Sequence, residues 1–374
     1  MKYEYTHFIP ENVAPKGATR IVVKNGDEEV ASIPASRFGS LTPPTGELLY
    51  SIGWVSDCHT CDWTTAFNGS QKLRNALSYF QRAGCKFVIG CGDFTQTGFY
   101  CEDATDYNEG QMLNYQSILA DYSIPVYEIF GNHENFYGVS ITKHLARAKE
   151  LTGIPYTAYT VSNAPDSDTV EGTTTRPNRC EPSVGNDLYI MIGQSESSKQ
   201  PMSTSDLEWL EYILNANTNR RCFVVIHSFI DDNVPDGIED SGNPCFAQEN
   251  SIFGYWGTAS TAEFLNMMSR YPKAILFHGH SHMKFESQEF DKCANYTDKN
   301  GFESVHVPSL GSPRHLLNTN GDWTTIKGAD RWTEPESQCY LVDVYSDCIV
   351  LNGLELGTTG VPSVEVLGTL KINT

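Results

Sequence analysis

Ile129-Phe130-Gly131-Asn132-His133-Glu134 ends an apolar run in an amide, an imidazole and a carboxylate, and its reading decides the fold. Tyr127 to Phe130 supply the aromatic and β-branched residues of a short buried strand. Gly131 then permits the tight turn that delivers Asn132 and His133 just past its end. In open α/β sheets that is where ligands bind. Taken alone the stretch is equally an ordinary strand-to-loop turn, so its context has to decide. Four further apolar runs stop in the same way. Ile52-Gly53-Trp54-Val55 runs into Ser56-Asp57-Cys58-His59, and Phe87-Val88-Ile89 is followed by Gly92-Asp93. Phe223-Val224-Val225-Ile226 meets His227, and Ala274-Ile275-Leu276-Phe277 meets His278-Gly279-His280-Ser281-His282. The five terminations read as one site.

Between these runs the spacing predicts helices. One covers 70–83, with Leu73, Ala76, Leu77 and Phe80 on one face and Gly84 at the C-terminal cap; others cover 109–121, 140–151 and 261–271, and one opens at the capping box Ser205-x-x-Glu208. Strand-helix alternation implies an α/β fold with a largely parallel sheet and helices on its faces. From about residue 284 the pattern is mainly β: runs at 285–290, 304–307, 340–344, 349–354 and 364–372 follow without a helix of comparable strength. They imply a second sheet, packed on the first or extending it. Residues 1–48 read as a small N-terminal β appendage and linker ahead of a main domain at 49–374. Runs at 20–23 and 29–33 flank the hairpin turn Asn25-Gly26-Asp27, either as a docking pair or as a cover for a sheet edge. The stretch 161–185 reads as an exposed loop. The long acidic segment 231–257 begins four residues after His227 and is read as covering the substrate; its Tyr255 and Trp256 either stack on a base or pack the loop onto the body.

Of 374 residues, 40% are hydrophobic and 19% charged, the composition of a soluble globular protein. The balance of 46 acidic against 26 Lys and Arg residues gives a net charge of -20. Such a chain lacks the basic footprint of a duplex-nucleic-acid binder, and a phosphate-bearing ligand needs a local cation to draw it in. No apolar run is long enough to span a membrane, and residues 1–7 lack the apolar segment of a secretory signal, so a cytoplasmic location is expected. The 11 cysteines are odd in number and irregular in spacing, which reads as reduced thiols. Cys58 and Cys61 form a C-x-x-C with no second pair at zinc-ribbon spacing, so neither a redox nor a structural-zinc role is expected.

The terminations deliver Asp57, Asp93, the Asn132 amide and the imidazoles of His59, His133, His227, His280 and His282. Mixed oxygen and nitrogen donors suit Mn, Fe, Zn or Co and suit calcium poorly. In Asp57-Cys58-His59 and His280-Ser281-His282, alternate residues project the same way if locally extended, so each pair reaches one metal region. The donors exceed the needs of one four-coordinate ion; two ions sharing a carboxylate absorb them. His278 reads as a packing or supporting residue. His306 and Arg314 flank the turn Pro308-Ser309-Leu310-Gly311-Ser312-Pro313, either beside the site or on a solvent loop, and His7, His144 and His315 carry no signature.

In order, and each after a strand, Asp57-Cys58-His59, Gly92-Asp93, Gly131-Asn132-His133-Glu134, His227 and Gly279-His280-Ser281-His282 resemble the five-part signature of the calcineurin-like metallophosphoesterase superfamily. The resemblance implies a four-layer sandwich of two packed mixed β-sheets flanked by helices, with a dinuclear metal site at the strand ends. It implies that Asp57, His59 and His282 hold one ion, that Asn132, His227 and His280 hold the other, and that Asp93 bridges them. His133 then resembles the catalytic histidine, which assists the leaving oxygen or stabilises the transition state, and Glu134 orients it. The implied cofactors are two transition-metal ions (Mn, Fe or Zn), and the implied reaction is hydrolysis of a phosphodiester or related small phosphate ester by a hydroxide bridging them. A phosphomonoesterase or nucleotidase, or a structural protein of a phage-like assembly that keeps the fold without turnover, are the rival readings. One departure is visible: Gln96 stands three positions after Asp93, where the family often has an acidic residue or Asn, which touches fine positioning.

Overall fold

A computed structural model describes residues 20–25, 28–34, 44–60, 68–96, 111, 114–115, 117–134, 179–180, 183–193, 202, 204–228, 261–285, 296–297, 301–313, 336–357 and 364–374. The helix expected over 140–151, the segment 231–257, Cys61, Arg314 and His7, His144 and His315 lie outside the described residues.

Strand β3 (Leu48–Val55) sets the layers, because successive side chains of a strand face opposite ways. Ile52 and Trp54 enter a core shared with Phe87, Ile89, Tyr189, Phe223, Ile275 and Phe277, whereas Val55 faces Leu73, Ala76, Leu77 and Phe80 on the other side. Those four belong to helix α1 (Gly69–Arg82), which opens where the Asn68 side chain accepts from Gln71 N. The strands β4 (Val88–Gly90) and β5 (Val126–Glu128) continue the sheet in parallel beside β3. Its other half is an antiparallel meander of β13 (Gln338–Tyr345), β14 (Cys348–Leu356) and β15 (Val364–Asn373), giving the order β15-β14-β13-β3-β4-β5.

The second sheet has a parallel centre of β8 (Asp187–Ile192), β9 (Cys222–Val225), β10 (Ala274–His278) and β12 (Glu303–His306). Short antiparallel pieces flank it: β6 (Arg179–Cys180), β7 (Ser183–Val184) and β11 (Tyr296–Thr297). Helices α2 (Thr204–Ala216) and α3 (Thr261–Met268) cover its outer face through Trp209, Leu210, Ile213, Phe264 and Met268, packed on Leu188, Ile190, Val224 and Leu276. The result is helix, sheet, sheet, helix, the layering the resemblance implied.

Two expectations change. The alternating strands do not form a single sheet: β3, β4 and β5 join one, and β8, β9 and β10 the other. Apolar residues on both strand faces are satisfied by a helix on one side and the opposite sheet on the other, and periodicity carries no information about which sheet takes which strand. The late strands take the extending arrangement of the two expected, β13 pairing with β3 and β12 with β10. The end of the stretch read as a loop at 161–185 contributes β6 and β7, which are too short to show a period. The segment expected over 109–121 is helical at 111, 114–115 and 117–120, with Tyr115 and Ile118 in the core.

Among the described residues β1 (Arg20–Asn25) and β2 (Glu28–Pro34) form the expected antiparallel hairpin, and β2 lies against β15, the outermost strand of its sheet. Thr45 donates twice to Asp347 Oδ2, from N at 3.1 Å and Oγ1 at 2.6 Å, and so fixes the entry to β3 on the β13–β14 turn. Cys58, Cys85, Cys91, Cys222, Cys339 and Cys348 are free and buried. No helix among the described residues is long and apolar enough to cross a membrane.

Trp54 ties the two sheets together. Its ring stacks on Phe277 with centroids 3.7 Å apart, and its Nε1 donates to Cys91 Sγ at 3.0 Å. Because the side chain is fully buried, Trp54→Ala is expected to lower the unfolding free energy by about 3–5 kcal/mol. Urea unfolding followed by far-UV circular dichroism measures it; an unchanged midpoint would mean that the inter-sheet core does not hold the layers.

Candidate metal centre

The ends of β3, β4, β5, β9 and β10 meet at one edge of the sandwich, and there the backbone leaves ordinary strand geometry. Asp57 (φ 49°), His59 (46°), Asp93 (53°), His280 (70°) and His282 (60°) are the positive-φ residues other than glycine among those described. Each left-handed L-residue costs roughly 1–2 kcal/mol. Five of them at one place mark a site where side-chain direction outweighs backbone comfort. The expected extended geometry of Asp57-Cys58-His59 and His280-Ser281-His282 is therefore corrected: their alternate residues converge through left-handed turns rather than through a pleat.

Three groups of donor atoms gather within 4.8 Å: Asp57 with His59 and His282; Asp57 with Asp93, His227 and His280; and Asp93 with His59 and His133. Asn132 joins the second, its Oδ1 lying 2.9 Å from His227 Nε2. Backbone carbonyls set the direction of two rings. His227 Nδ1 lies 2.7 Å from Cys91 O, and His282 Nδ1 lies 3.0 Å from Ser312 O. A carbonyl only accepts, so the proton of each neutral ring sits on Nδ1 and the Nε2 lone pair points into the site. There His227 Nε2 meets Asp93 Oδ2 at 3.2 Å and His280 Nδ1 at 3.1 Å, while His282 Nε2 meets Asp57 Oδ1 at 3.3 Å and His59 Nε2 at 3.1 Å. Asp57 Oδ2 accepts from Ser56 Oγ at 2.6 Å and from His280 N at 2.9 Å; Oδ1 is buried and has no hydrogen-bond partner among the described residues. Imidazole nitrogens and carboxylate oxygens that converge in a buried space suit a cation, and these donor types fit a borderline transition metal.

The charges agree. Burial works to raise the carboxyls of Asp57 and Asp93, yet the imidazoles around them outweigh it and hold both below the usual carboxylate range. Burial and neighbouring imidazoles keep His59 and His280 neutral, His280 down to about 3. For His227 burial is outweighed by Asp93 and Asp57, which push it up to about 9. Without a metal the cluster collects a proton at the point where the carboxylates converge. Cys58 is different: burial, then Glu128 and Asp57, push its thiol well up, so it offers no thiolate.

Glycines let the loops close on the donors. A Cβ on Gly131 would overlap Asp93 Oδ1, and one on Gly279 would overlap Ser56 Oγ and crowd Asp57 Oδ2.

His133 lies at the rim, with its side chain 13% exposed. Its N donates to Asp93 Oδ1 at 2.9 Å, its Nε2 is 3.8 Å from Asp93 Oδ2, and its ring meets His59 edge-on at 4.7 Å. Glu134 does something other than orient that ring. Its Oε2 accepts from Asp93 N at 3.0 Å and Gly131 N at 2.7 Å, and its Oε1 from Thr95 N at 2.9 Å and Thr95 Oγ1 at 3.1 Å. With both oxygens occupied, Glu134 clamps the Asp93 loop to the Gly131 turn. Burial and the Asp93 charge push its carboxyl up to about 8, against the pull of those N–H donors.

His306 is fully buried at the end of β12, with Nε2 2.7 Å from Ser281 Oγ, so the solvent-loop reading of its turn is corrected. His278 supports rather than ligates, its Nε2 being 3.3 Å from Ser304 Oγ. Gln96 is buried, its N donating to Gln111 Oε1 at 2.6 Å. The turn at 309–312 carries contacts that its residues do not announce. Ser309 Oγ donates to Asp57 O at 3.0 Å, Gly311 N to the same oxygen at 3.0 Å, and Ser312 O receives His282. Backbone carbonyls have no sequence signature, and the bridge between Ser56 and Ser309 spans most of the chain.

A search of curated proteins found no match. Among solved structures the chain is similar to a dimetal phosphatase from Danio rerio, at 14% identity over 87% of this chain and 99% of that one, with a TM-score of 0.55. GAP50, the anchor in the inner membrane complex of Plasmodium, matches at 12% identity over 87% and 89%, with a TM-score of 0.45. Vacuolar Protein Sorting 29 from Cryptosporidium parvum matches at 11% identity over 88% and 100%, with a TM-score of 0.33. The first of these likenesses speaks for the fold. A family model described as calcineurin-like phosphoesterase matches residues 50–284, the stretch that runs from β3 through all five strand-end motifs, and the chain belongs to that family.

Proposed function

We propose that the chain is a dinuclear metallophosphoesterase that hydrolyses a small phosphate ester, preferentially a phosphodiester. The observation that carries this reading is the pair of donor clusters on either side of Asp93, with His133 beside them at the rim. Asp57, His59 and His282 would hold one ion, Asn132, His227 and His280 the other, and Asp93 would touch both. Two such ions, with Mn, Fe or Zn as the candidates, supply when bound the positive charge that a chain of net -20 needs to attract phosphate, and the Lewis acidity that makes water nucleophilic near neutral pH.

The chain's own residues do the rest. His133, anchored through its backbone to Asp93 Oδ1, reaches the departing oxygen and lends it a proton or a hydrogen bond. Glu134 acts one step back, holding Asp93 and Gly131 in register. The diester preference rests on the turn Pro308-Ser309-Leu310-Gly311-Ser312-Pro313, whose place beside the site resembles that in cyclic-nucleotide-phosphodiesterase-like members of the family. Residues 1–48 are assigned as an appendage whose hairpin shields the β15 edge.

Hydrolysis of bis-p-nitrophenyl phosphate and of p-nitrophenyl phosphate, by protein stripped and reloaded with manganese, tests the reading. Diester turnover that disappears in Asn132→Ala is the expected result. Monoester preference would redirect the assignment to a phosphomonoesterase or nucleotidase, and no turnover of either substrate with two ions bound would overturn it.

A further inference from the structure

Lys72 is fully buried on the first turns of α1, on the stripe that continues through Ala76 and Phe80 into the core. Burying an ammonium is costly unless it is hydrogen-bonded to something that matters. Its Nζ donates to Gly311 O at 2.5 Å. Gly311 is the middle of the turn that grips two donors of one cluster: Gly311 N and Ser309 Oγ both donate to Asp57 O at 3.0 Å, and Ser312 O receives His282 Nδ1 at 3.0 Å. The start of α1 also abuts the Asp57-Cys58-His59 loop, since a Cβ on Gly69 would overlap His59 O.

We propose that Lys72 is a positioning residue for the half of the metal centre formed by Asp57, His59 and His282, acting through the Gly311 carbonyl. Its ammonium fixes the carbonyl's direction, the carbonyl fixes the turn, and the turn sets the Asp57 backbone and the tautomer and tilt of His282. In the other half His227 takes its ring direction from Cys91 O instead, and the link to Lys72 is only indirect, through Asp57 Oδ2, which accepts from His280 N at 2.9 Å. The inference rests on the metal centre proposed above and adds an asymmetry between its two halves.

Manganese titration by isothermal calorimetry tests it. In the wild type two binding steps are assigned by the step that His59→Ala removes and the step that Asn132→Ala removes. Lys72→Met is expected to weaken the first about 10–100-fold, as loss of an outer-shell partner of a ligand typically does, and to change the second far less. Lys72→Gln, polar but too short to keep the Gly311 contact, is expected to weaken the same step and serves if Lys72→Met does not fold. A general structural role would weaken both steps together, and that result overturns the proposal. So does wild-type affinity at both steps in a folded variant. A wild-type protein that binds no manganese would overturn the metal centre itself, a failure distinct from that of Lys72.

Discussion

Replacing Asp93 with asparagine is expected to remove high-affinity binding at both halves of the metal centre and to lower phosphoester hydrolysis by about 10²–10⁴-fold. The magnitude follows from a buried charge–charge partner being worth about 3–5 kcal/mol when removed, with each 1.36 kcal/mol a factor of ten. Asp93 is the sensitive position because its donor atoms lie within 4.8 Å of His59 on one side and of His227 and His280 on the other. Asparagine tolerates the left-handed backbone there (φ 53°) and keeps an oxygen to accept from His133 N, so the loop is expected to stay folded. What changes is the second oxygen. Asp93 Oδ2 stands 3.2 Å from His227 Nε2, and an amide N–H in its place would occupy the lone pair that the proposal assigns to the metal. Equilibrium dialysis with manganese, followed by atomic absorption, gives the ion count. Two tightly bound ions in the variant, with near-wild-type turnover, would show that the carboxylate is not shared.

The donors themselves are legible in the sequence because residue type survives the fold: an aspartate, amide or histidine at the end of an apolar run is visible in the linear chain. Asp57, His59, Asp93, Asn132, His227, His280 and His282 all arrive at one edge. How they arrive is hidden. Five residues in left-handed conformation are not predictable from an alternation rule that assumes extended chain, because the deviation is imposed by contacts far away in sequence, such as Asp57 N donating to Gly92 O at 3.0 Å and His59 N to Asp93 O at 2.9 Å. Lys72 is hidden for the opposite reason, since a lysine at the edge of an apolar helical stripe reads as a solvated side chain. For Glu134, adjacency to His133 suggests a partner that the three-dimensional neighbours, Thr95 and the Asp93 backbone, supply instead. The strands are visible as apolar runs, but their division between two sheets depends on pairings such as β13 with β3, which lie far apart in the chain.

Removing the His133 imidazole separates the catalytic reading from the non-catalytic one, and it is expected to leave both ions bound. His133→Ala should lower kcat by about 10²–10⁴-fold with little change in KM, the range for loss of a positioned acid–base group. The ring stands back from the carboxylate: its Nε2 is 3.8 Å from Asp93 Oδ2, and its side chain is partly exposed. If it were a ligand, drawn in through its grouping with His59 and Asp93, the variant would lose an ion as well. The leaving group supplies a further check. A nitrophenolate departs without help, whereas an alkoxide needs a proton, so the loss should be larger for an alkyl ester than for a nitrophenyl ester. The pH profile then distinguishes the two ways of helping. Burial lowers the His133 pKa below its ordinary value, outweighing the carboxylate of Asp93, so the cationic form is lost as pH rises through that lowered value. Full proton donation therefore predicts a kcat that falls with rising pH across that region in the wild type and loses this dependence in the variant. A hydrogen bond from the neutral ring predicts a flat profile in both. Equal turnover in wild type and variant, at full metal occupancy, would remove His133 from the chemistry altogether.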